Sequence, residues 1–288
     1  MHALPDPATR PLAARVLRHA LASGARADTL ASAYAALPAT WFDALEREIA
    51  LTMAASGQDL DACLADMDAF NALTPETEND AWYEQPRAFT SMHLDALLLG
   101  FAQRRLARTL AQVVEHAPDA RRVLEVGSGS GRLAGLLADA LPAARLTLVD
   151  RSPAAVRFAA AYHAARGSGE RVECRLGDLA GIPAPDESFD VVIAAEVLEH
   201  APDPAASVRE LMRVLRPGGR LVLSVPIDLD IAMHPVVFSD ADAILAFLEG
   251  FALRARASEV VRPDPAIDAI CDVFPSFAGC LNVVLDKR

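Results

Sequence analysis

Cysteine is scarce. Cys63, Cys174, Cys271 and Cys280 are the only four in 288 residues, and no two of them form a C-x-x-C pair. That spacing argues against a disulfide framework and against a thiolate metal centre, so reduced, mostly buried thiols in a soluble cytoplasmic protein are expected and no metal is. A run of lysine and arginine is also missing. The formal net charge is −12 and the pI near 5.0, so the surface does not neutralise phosphates and nucleic acid is not an expected partner. No apolar run reaches the ~18 residues that cross a bilayer. The first ten residues hold prolines and an aspartate rather than a basic segment leading into an apolar one. Neither a signal peptide nor an anchor is therefore expected. No internal repeat occurs at solenoid spacing.

Apolar residues, by contrast, make up 52% of the chain and charged ones only 23%, enough to bury a large core. The chain changes character near residue 118. Before it, the spacing of apolar residues predicts helices over residues 11–22 (closed by Gly24), 40–56 (opened by a capping box at Thr40 and closed by Gly57), 60–73 and 91–114, with a polar loop over 74–86. After it, strands and helices alternate. Strands are predicted at 122–126, 145–149, 172–176, 190–194, 220–225, 253–261 and 281–285. Helices are predicted at 132–141, 153–166 and 205–215, the last stopped by Pro217-Gly218-Gly219, and from a cap at Ser239 and Asp242 to Gly250. The expected organisation is a helical cap or lid region over residues 1–117 and an α/β domain over 118–288, its doubly wound, mostly parallel sheet having seven strands. In such a sheet a ligand binds outside the carboxyl ends of the strands, where their order reverses.

The informative residues fall at those ends. Strand one runs into Glu125-Val126-Gly127-Ser128-Gly129-Ser130-Gly131 and at once into a helix, whose free N–H groups face a ligand. An ordinary tight turn would use the same glycines. A dinucleotide fingerprint needs a third glycine at position 132, which is Arg132, so a smaller ligand without phosphates fits better. Strand two ends at Asp150, whose carboxylate can accept from both hydroxyls of a ribose or simply sit in solvent. Asp178 and Leu179 follow strand three, as an adenine contact or as a turn. Glu196, Val197, Glu199 and His200 follow strand four. His200 is a candidate base, since imidazole titrates near neutrality, and equally a structural hydrogen-bonding residue.

Taken together, VLEVGSGSGRLA, LVDRSPAAV, GDLAGIPAPDESFDVVIAAEVLEHAPDP and LMRVLRPGGRLVLSVP resemble the class I S-adenosylmethionine-dependent methyltransferases, most closely the ubiquinone/menaquinone-biosynthesis type that acts on small molecules. The resemblance covers residues 118–288. It implies a Rossmann-like methyltransferase fold with S-adenosyl-L-methionine as cofactor and S-adenosyl-L-homocysteine as product. It also implies that Glu125, Gly127, Ser128, Gly129 and Gly131 cradle the methionine part and that Asp150 binds the ribose. Arg151 and Ser152 would lie beside the adenine, Asp178 and Leu179 would contact it, and Glu196 and Val197 would line the methionine end. Strand four lacks the Asn/Asp-Pro-Pro-Tyr/Phe ending of enzymes that methylate nucleobase or glutamine amino groups. Residues 1–117 resemble no family.

A small-molecule O-, N-, C- or S-nucleophile is thus the expected methyl acceptor in biosynthesis, and a homodimer is left open. A non-catalytic sensor or scaffold that binds the cofactor is the alternative, with a nicotinamide-dependent oxidoreductase behind it. Residues 70–100 are expected to close over the site as a lid, bringing His93 as a second candidate base and Trp82, Tyr83, Arg87 and Phe89, with Glu199, as candidate substrate contacts. The aromatics would equally serve as core. Residues 226–237 are expected to line the site from its other side.

Overall fold

The central strands are nearly continuous apolar runs because both faces of the sheet are covered there, whereas the two edge strands, VECRL and LRARASEVV, are largely polar and exposed. In the computed structural model, which describes residues 5–22, 26–74, 80–268, 270–273 and 276–288, strands β1 (Arg122–Val126), β2 (Arg145–Asp150), β3 (Val172–Leu176), β4 (Phe189–Ala195), β5 (Leu215–Ile227), β6 (Leu253–Val261) and β7 (Gly279–Lys287) form one sheet. Its order is β3-β2-β1-β4-β5-β7-β6. Pairing is parallel except at β7, which runs antiparallel between β5 and β6. Val126 is in register with Val149 and with Ala194. The tips of β2, β1 and β4 therefore stand level, and the order reverses between β1 and β4.

Helices α1 (Pro11–Ala22), α2 (Ala27–Ala35), α3 (Ala39–Ser56), α4 (Leu60–Asn71), α5 (Asp80–Tyr83), α6 (Pro86–Asp95) and α7 (Phe101–His116) precede the sheet; α8 (Arg132–Ala140), α9 (Pro153–Arg166), α10 (Pro204–Val214), α11 (Ala241–Glu249) and α12 (Ile270–Val273) alternate with its strands. One core fills the sheet face under α10 and α11, where Leu124, Val192, Leu211, Leu223 and Ile244 meet. A second joins α7 and α8 to the other face through Val113, Val123, Leu137 and Ile193. Helices α1–α4 enclose their own core around Leu17, Tyr34, Ile49 and Leu94, and Trp82, Phe89, Phe158 and Tyr162 join α5 and α6 to α9.

Several boundaries differ from expectation for physical reasons. The helix expected over 91–114 is two helices. Leu94, Leu97 and Leu98 belong to the core of the helical region, whereas Val113 belongs to the sheet. One straight axis cannot serve both cores, and the Tyr34 hydroxyl accepts the freed Leu99 N–H at 3.0 Å in the break. Thr40 is not a cap, since α3 begins at Ala39 after Pro38 and no side chain caps it. Asp240, not Ser239 or Asp242, caps α11 by accepting from Ala243 N–H at 2.7 Å. Pro217-Gly218-Gly219 lies inside β5 as an irregularity against β4, not ahead of the strand. The expected closure at Gly24 and residues 75–79 of the expected loop lie outside the described residues. Helix α2 and the short α5 and α12 were not expected.

One buried cluster joins the helical region to the sheet. Glu48 of α3, 2% exposed, accepts from Arg166 Nη1 at 2.6 Å and from the Tyr162 hydroxyl at 2.9 Å, with Arg132 Nη1 at 3.2 Å. Burial alone would raise the Glu48 pKa, but the two guanidiniums outweigh it and hold the carboxyl below its usual range. Removing the carboxylate strands two guanidiniums in a poorly solvated place. Glu48→Ala is therefore expected to lower unfolding stability by about 3 kcal/mol in urea titrations, with the loss greatest above the carboxylate pKa and shrinking as acid protonates Glu48 in the parent protein.

Candidate active site

The turn after β1 is built by backbone geometry that only glycine adopts readily. Gly127, Gly129 and Gly131 have φ of 67°, 52° and 73°. A Cβ on Gly127 would lie 2.2 Å from Val197 Cγ2, and one on Gly129 would touch Met92 of α6 at 3.8 Å. The turn is held from β2. Asp150, 8% exposed, accepts from Gly129 N–H through Oδ2 and from Ser152 N–H through Oδ1, each at 2.8 Å. Burial raises its pKa, and those two N–H groups oppose the rise. Each carboxylate oxygen keeps a further lone pair for a ligand.

Glu125 lies below the turn, 6% exposed. Burial first, and the neighbouring Asp150 charge second, push its pKa up to about 8. Its Oε2 is buried with no hydrogen-bond partner among the described residues. A buried carboxyl in this state favours a cationic or hydrogen-donating ligand beside it. Val197 covers Gly127, as noted, and Ser128 is buried in the turn.

Other expected contacts are engaged within the protein. The Ser152 hydroxyl caps α9 by accepting from Ala154 and Ala155 N–H, and donates to Tyr83 O at 2.8 Å. Arg151 pairs with Asp80 of α5. Asp178 is exposed and closes its own turn by accepting from Ala180 N–H at 2.7 Å, while Leu179 packs into the sheet core.

The helical segment also corrects several expectations. His93 is 0% exposed, with its ring 4.5 Å from Tyr162 and 5.6 Å from Phe158. Burial, followed by the Arg132 charge, drives its pKa well below the ordinary imidazole value. A ring enclosed in this way cannot take a proton from a substrate, so His93 is a packing residue beneath the glycine turn. Phe89, 2% exposed, and Trp82, 5% exposed, are core between α6 and α9. Arg87 lies over the Trp82 ring at 4.6 Å. Tyr83, half-buried, approaches the site through its carbonyl on Ser152.

Past β4 the chain makes a second polar cluster. Glu196 takes φ 56° and turns toward β5 and β7, where its carboxylate accepts from Ser224 Oγ at 2.9 Å and from the Cys280 thiol at 3.2 Å, with Arg105 Nη1 at 3.9 Å. Burial, then Glu196, raises the Glu199 pKa well above the carboxylate range. His200 Nδ1 donates to Met233 O at 3.2 Å. Burial and then His234 lower the His200 pKa to about 4, so its ring is neutral at pH 7 and a weak base. The segment after β5 lines this cluster, as expected, through Met233 and His234. Sequence reasoning missed Arg105 and Cys280, which sit on a helix and a strand distant in the chain and carry no motif.

These strand tips, their glycine turn and the 3-2-1-4-5-7-6 order define a class I methyltransferase fold. Residues 124–223 match the methyltransferase domain family. A ubiquinone biosynthesis O-methyltransferase of Xanthomonas axonopodis pv. citri is 38% identical over 108 residues, covering 37% of this chain and 44% of that protein. A geranyl diphosphate methyltransferase structure superposes with a TM-score of 0.55 at 14% identity, over 70% of this chain and 82% of that one. The [4+2]-cyclase SpnF does so at 0.54 and 22% identity, over 63% and 81%. The chain thus carries a methyltransferase-domain match over residues 124–223, on a sheet with the fold of these neighbours. The chain spans less than half the length of the first curated relatives it matches.

Gly127→Ala is expected to destabilise the protein by about 1–3 kcal/mol, from the φ of a left-handed turn and the clash with Val197. Gly127→Ala with Val197→Ala is expected to recover the packing part of that loss. Thermal melts of the three variants measure both parts.

Proposed function

We propose that this chain transfers a methyl group from S-adenosylmethionine to a small-molecule acceptor and releases S-adenosylhomocysteine. The observation that carries the reading is the acid–glycine turn pinned to Asp150. It presents a turn that side chains would obstruct, a buried Glu125 oxygen lacking a partner and a carboxylate at the next strand tip. These groups fit an ammonium-bearing, ribose-bearing ligand. Arg132 supports it over the nicotinamide alternative, because its guanidinium is committed to Glu48 and Tyr162 and leaves no third glycine for a pyrophosphate.

When bound, S-adenosylmethionine supplies a methyl group already activated by the sulfonium charge. In this reading the turn 127–131 and Glu125 hold its methionine part, Asp150 holds its ribose, and Val197 closes over Gly127. Asp178 and Arg151 border the adenine through exposed groups. Catalysis is mainly placement of the acceptor in line with the S–CH₃ bond. His200 is too weakly basic to supply much more, and a general base is not required. Of the region 1–117 expected as the cap, helices α1–α6 take that part while α7 packs on the sheet, with α5 and α6 closing the adenine and methionine side through Tyr83 and Met92. The acceptor enters between the Glu196–His200 segment and residues 226–237. A small molecule suits the acidic chain, and a cytoplasmic location belongs to the same reading. Among the described residues no helix is long and apolar enough to cross a membrane.

SpnF, on the same fold, is a cyclase, so the fold alone does not fix the reaction. Calorimetry on the full chain separates the alternatives. S-adenosylmethionine and S-adenosylhomocysteine are expected to bind and NAD is not. Asp150→Ala is expected to weaken both by about 100-fold, the worth of two hydrogen bonds to a charged group. Affinity equal in Asp150→Ala, or preference for NAD, rejects the proposal, whereas tight binding without methyl transfer to any metabolite pool favours the scaffold.

The raised Glu125 carboxyl adds a pH signature. A cationic ligand beside it favours the ionised form, so binding releases a proton below pH 8 and affinity rises with pH up to about 8. In Glu125→Gln that component of the rise, up to about tenfold per pH unit, is expected to vanish from binding isotherms taken between pH 6 and 8.

A further inference from the structure

Glu199, His200 and His234 bring three candidate ligand atoms together. Glu199 and His200 lie on the 3-10 turn Leu198–His200 after β4, and His234 lies in the segment after β5. One ligand atom from each lies within 4.8 Å of the other two. The imidazole centroids are 4.7 Å apart at 75°, and His200 Nε2 is 3.8 Å from Glu199 Oε1.

The imidazole tautomers are fixed by their partners. His200 Nδ1 faces Met233 O at 3.2 Å and His234 Nδ1 faces Leu229 O at 2.9 Å. A carbonyl only accepts, so each Nδ1 carries the hydrogen and each Nε2 keeps its lone pair. Backbone carbonyls orient metal-binding histidines in this way. Glu199 is 2% exposed, and its Oε2 has no hydrogen-bond partner among the described residues. Arg105, whose charge acts on Glu199, is paired at 3.9 Å with Glu196.

We propose that Glu199, His200 and His234 bind a divalent first-row transition metal, zinc or a metal of similar preference. Two imidazole nitrogens and one carboxylate suit that class and not magnesium, which prefers an all-oxygen shell. Metal–nitrogen bonds of about 2.0–2.1 Å require the ligand atoms to close somewhat, which side-chain rotation supplies. With three protein ligands the ion keeps at least one open position. The proposed site departs from the sequence-based expectation of no metal, which rested on thiolate pairs and carboxylate sets and not on histidines brought together from two strand ends.

The test uses the full chain, stripped of metal by chelator and desalted, without S-adenosylmethionine, so its outcome is independent of the proposed activity. Calorimetry is expected to show one equivalent of Zn²⁺ bound, and Co²⁺ to give a visible absorption band that Zn²⁺ bleaches and millimolar Mg²⁺ does not. His234→Ala and Glu199→Gln are each expected to weaken Zn²⁺ by more than about tenfold and to lose the Co²⁺ band, while circular dichroism reports whether each variant is folded. Absence of saturable Zn²⁺ binding to the parent chain overturns the proposal, whatever the variants do. So does a Co²⁺ spectrum unchanged in folded His234→Ala or Glu199→Gln.

Discussion

The Asp150 carboxylate is the hinge of this site. It stands at the tip of β2, buried, and takes one N–H from the glycine turn after β1 and one from the start of α9. Two backbone segments that would otherwise leave strand ends independently are thereby fixed to one charge. The positive φ angles of the turn, the approach of Val197 to Gly127 and the direction of α9 all depend on that arrangement. A neutral side chain of the same size would keep some of the hydrogen bonds but not the charge that adds to burial in raising Glu125 beside it.

A second charge performs the matching task for the helical region. Glu48 draws Arg132 at the start of α8, and Tyr162 and Arg166 on α9, onto α3. The residue that departs from a dinucleotide fingerprint is therefore the one that ties cap to sheet. With the Trp82–Phe89–Phe158–Tyr162 core, this leaves α6 immobilised against the glycine turn through Met92. Buried ion clusters of this kind are costly to break even where their net contribution is modest.

The far side of the site is organised differently. Glu196 leans away from the glycine turn into β5 and β7, held by Ser224, Cys280 and Arg105, and Glu199 is left facing two histidines. The glycine-turn side is thus assembled from backbone N–H groups and short loops, while the Glu196–His200 side is assembled from side chains of distant elements.

The sequence alone determined the sheet, because β1, β3, β6 and α9 are local patterns of apolar residues bounded by glycine, proline and charge, and they were placed to the residue. It determined the glycine turn and Asp150 for the same reason, since a turn with positive φ demands glycine at fixed spacing. Tertiary structure decided what periodicity cannot encode. It split the long helix at residues 96–100, because its halves belong to different cores. It put His93 into packing and not chemistry, because Phe158 and Tyr162 arrive from a helix far along the chain. It brought His234 to Glu199 and His200, because only the parallel pairing of β4 and β5 sets those two strand ends side by side.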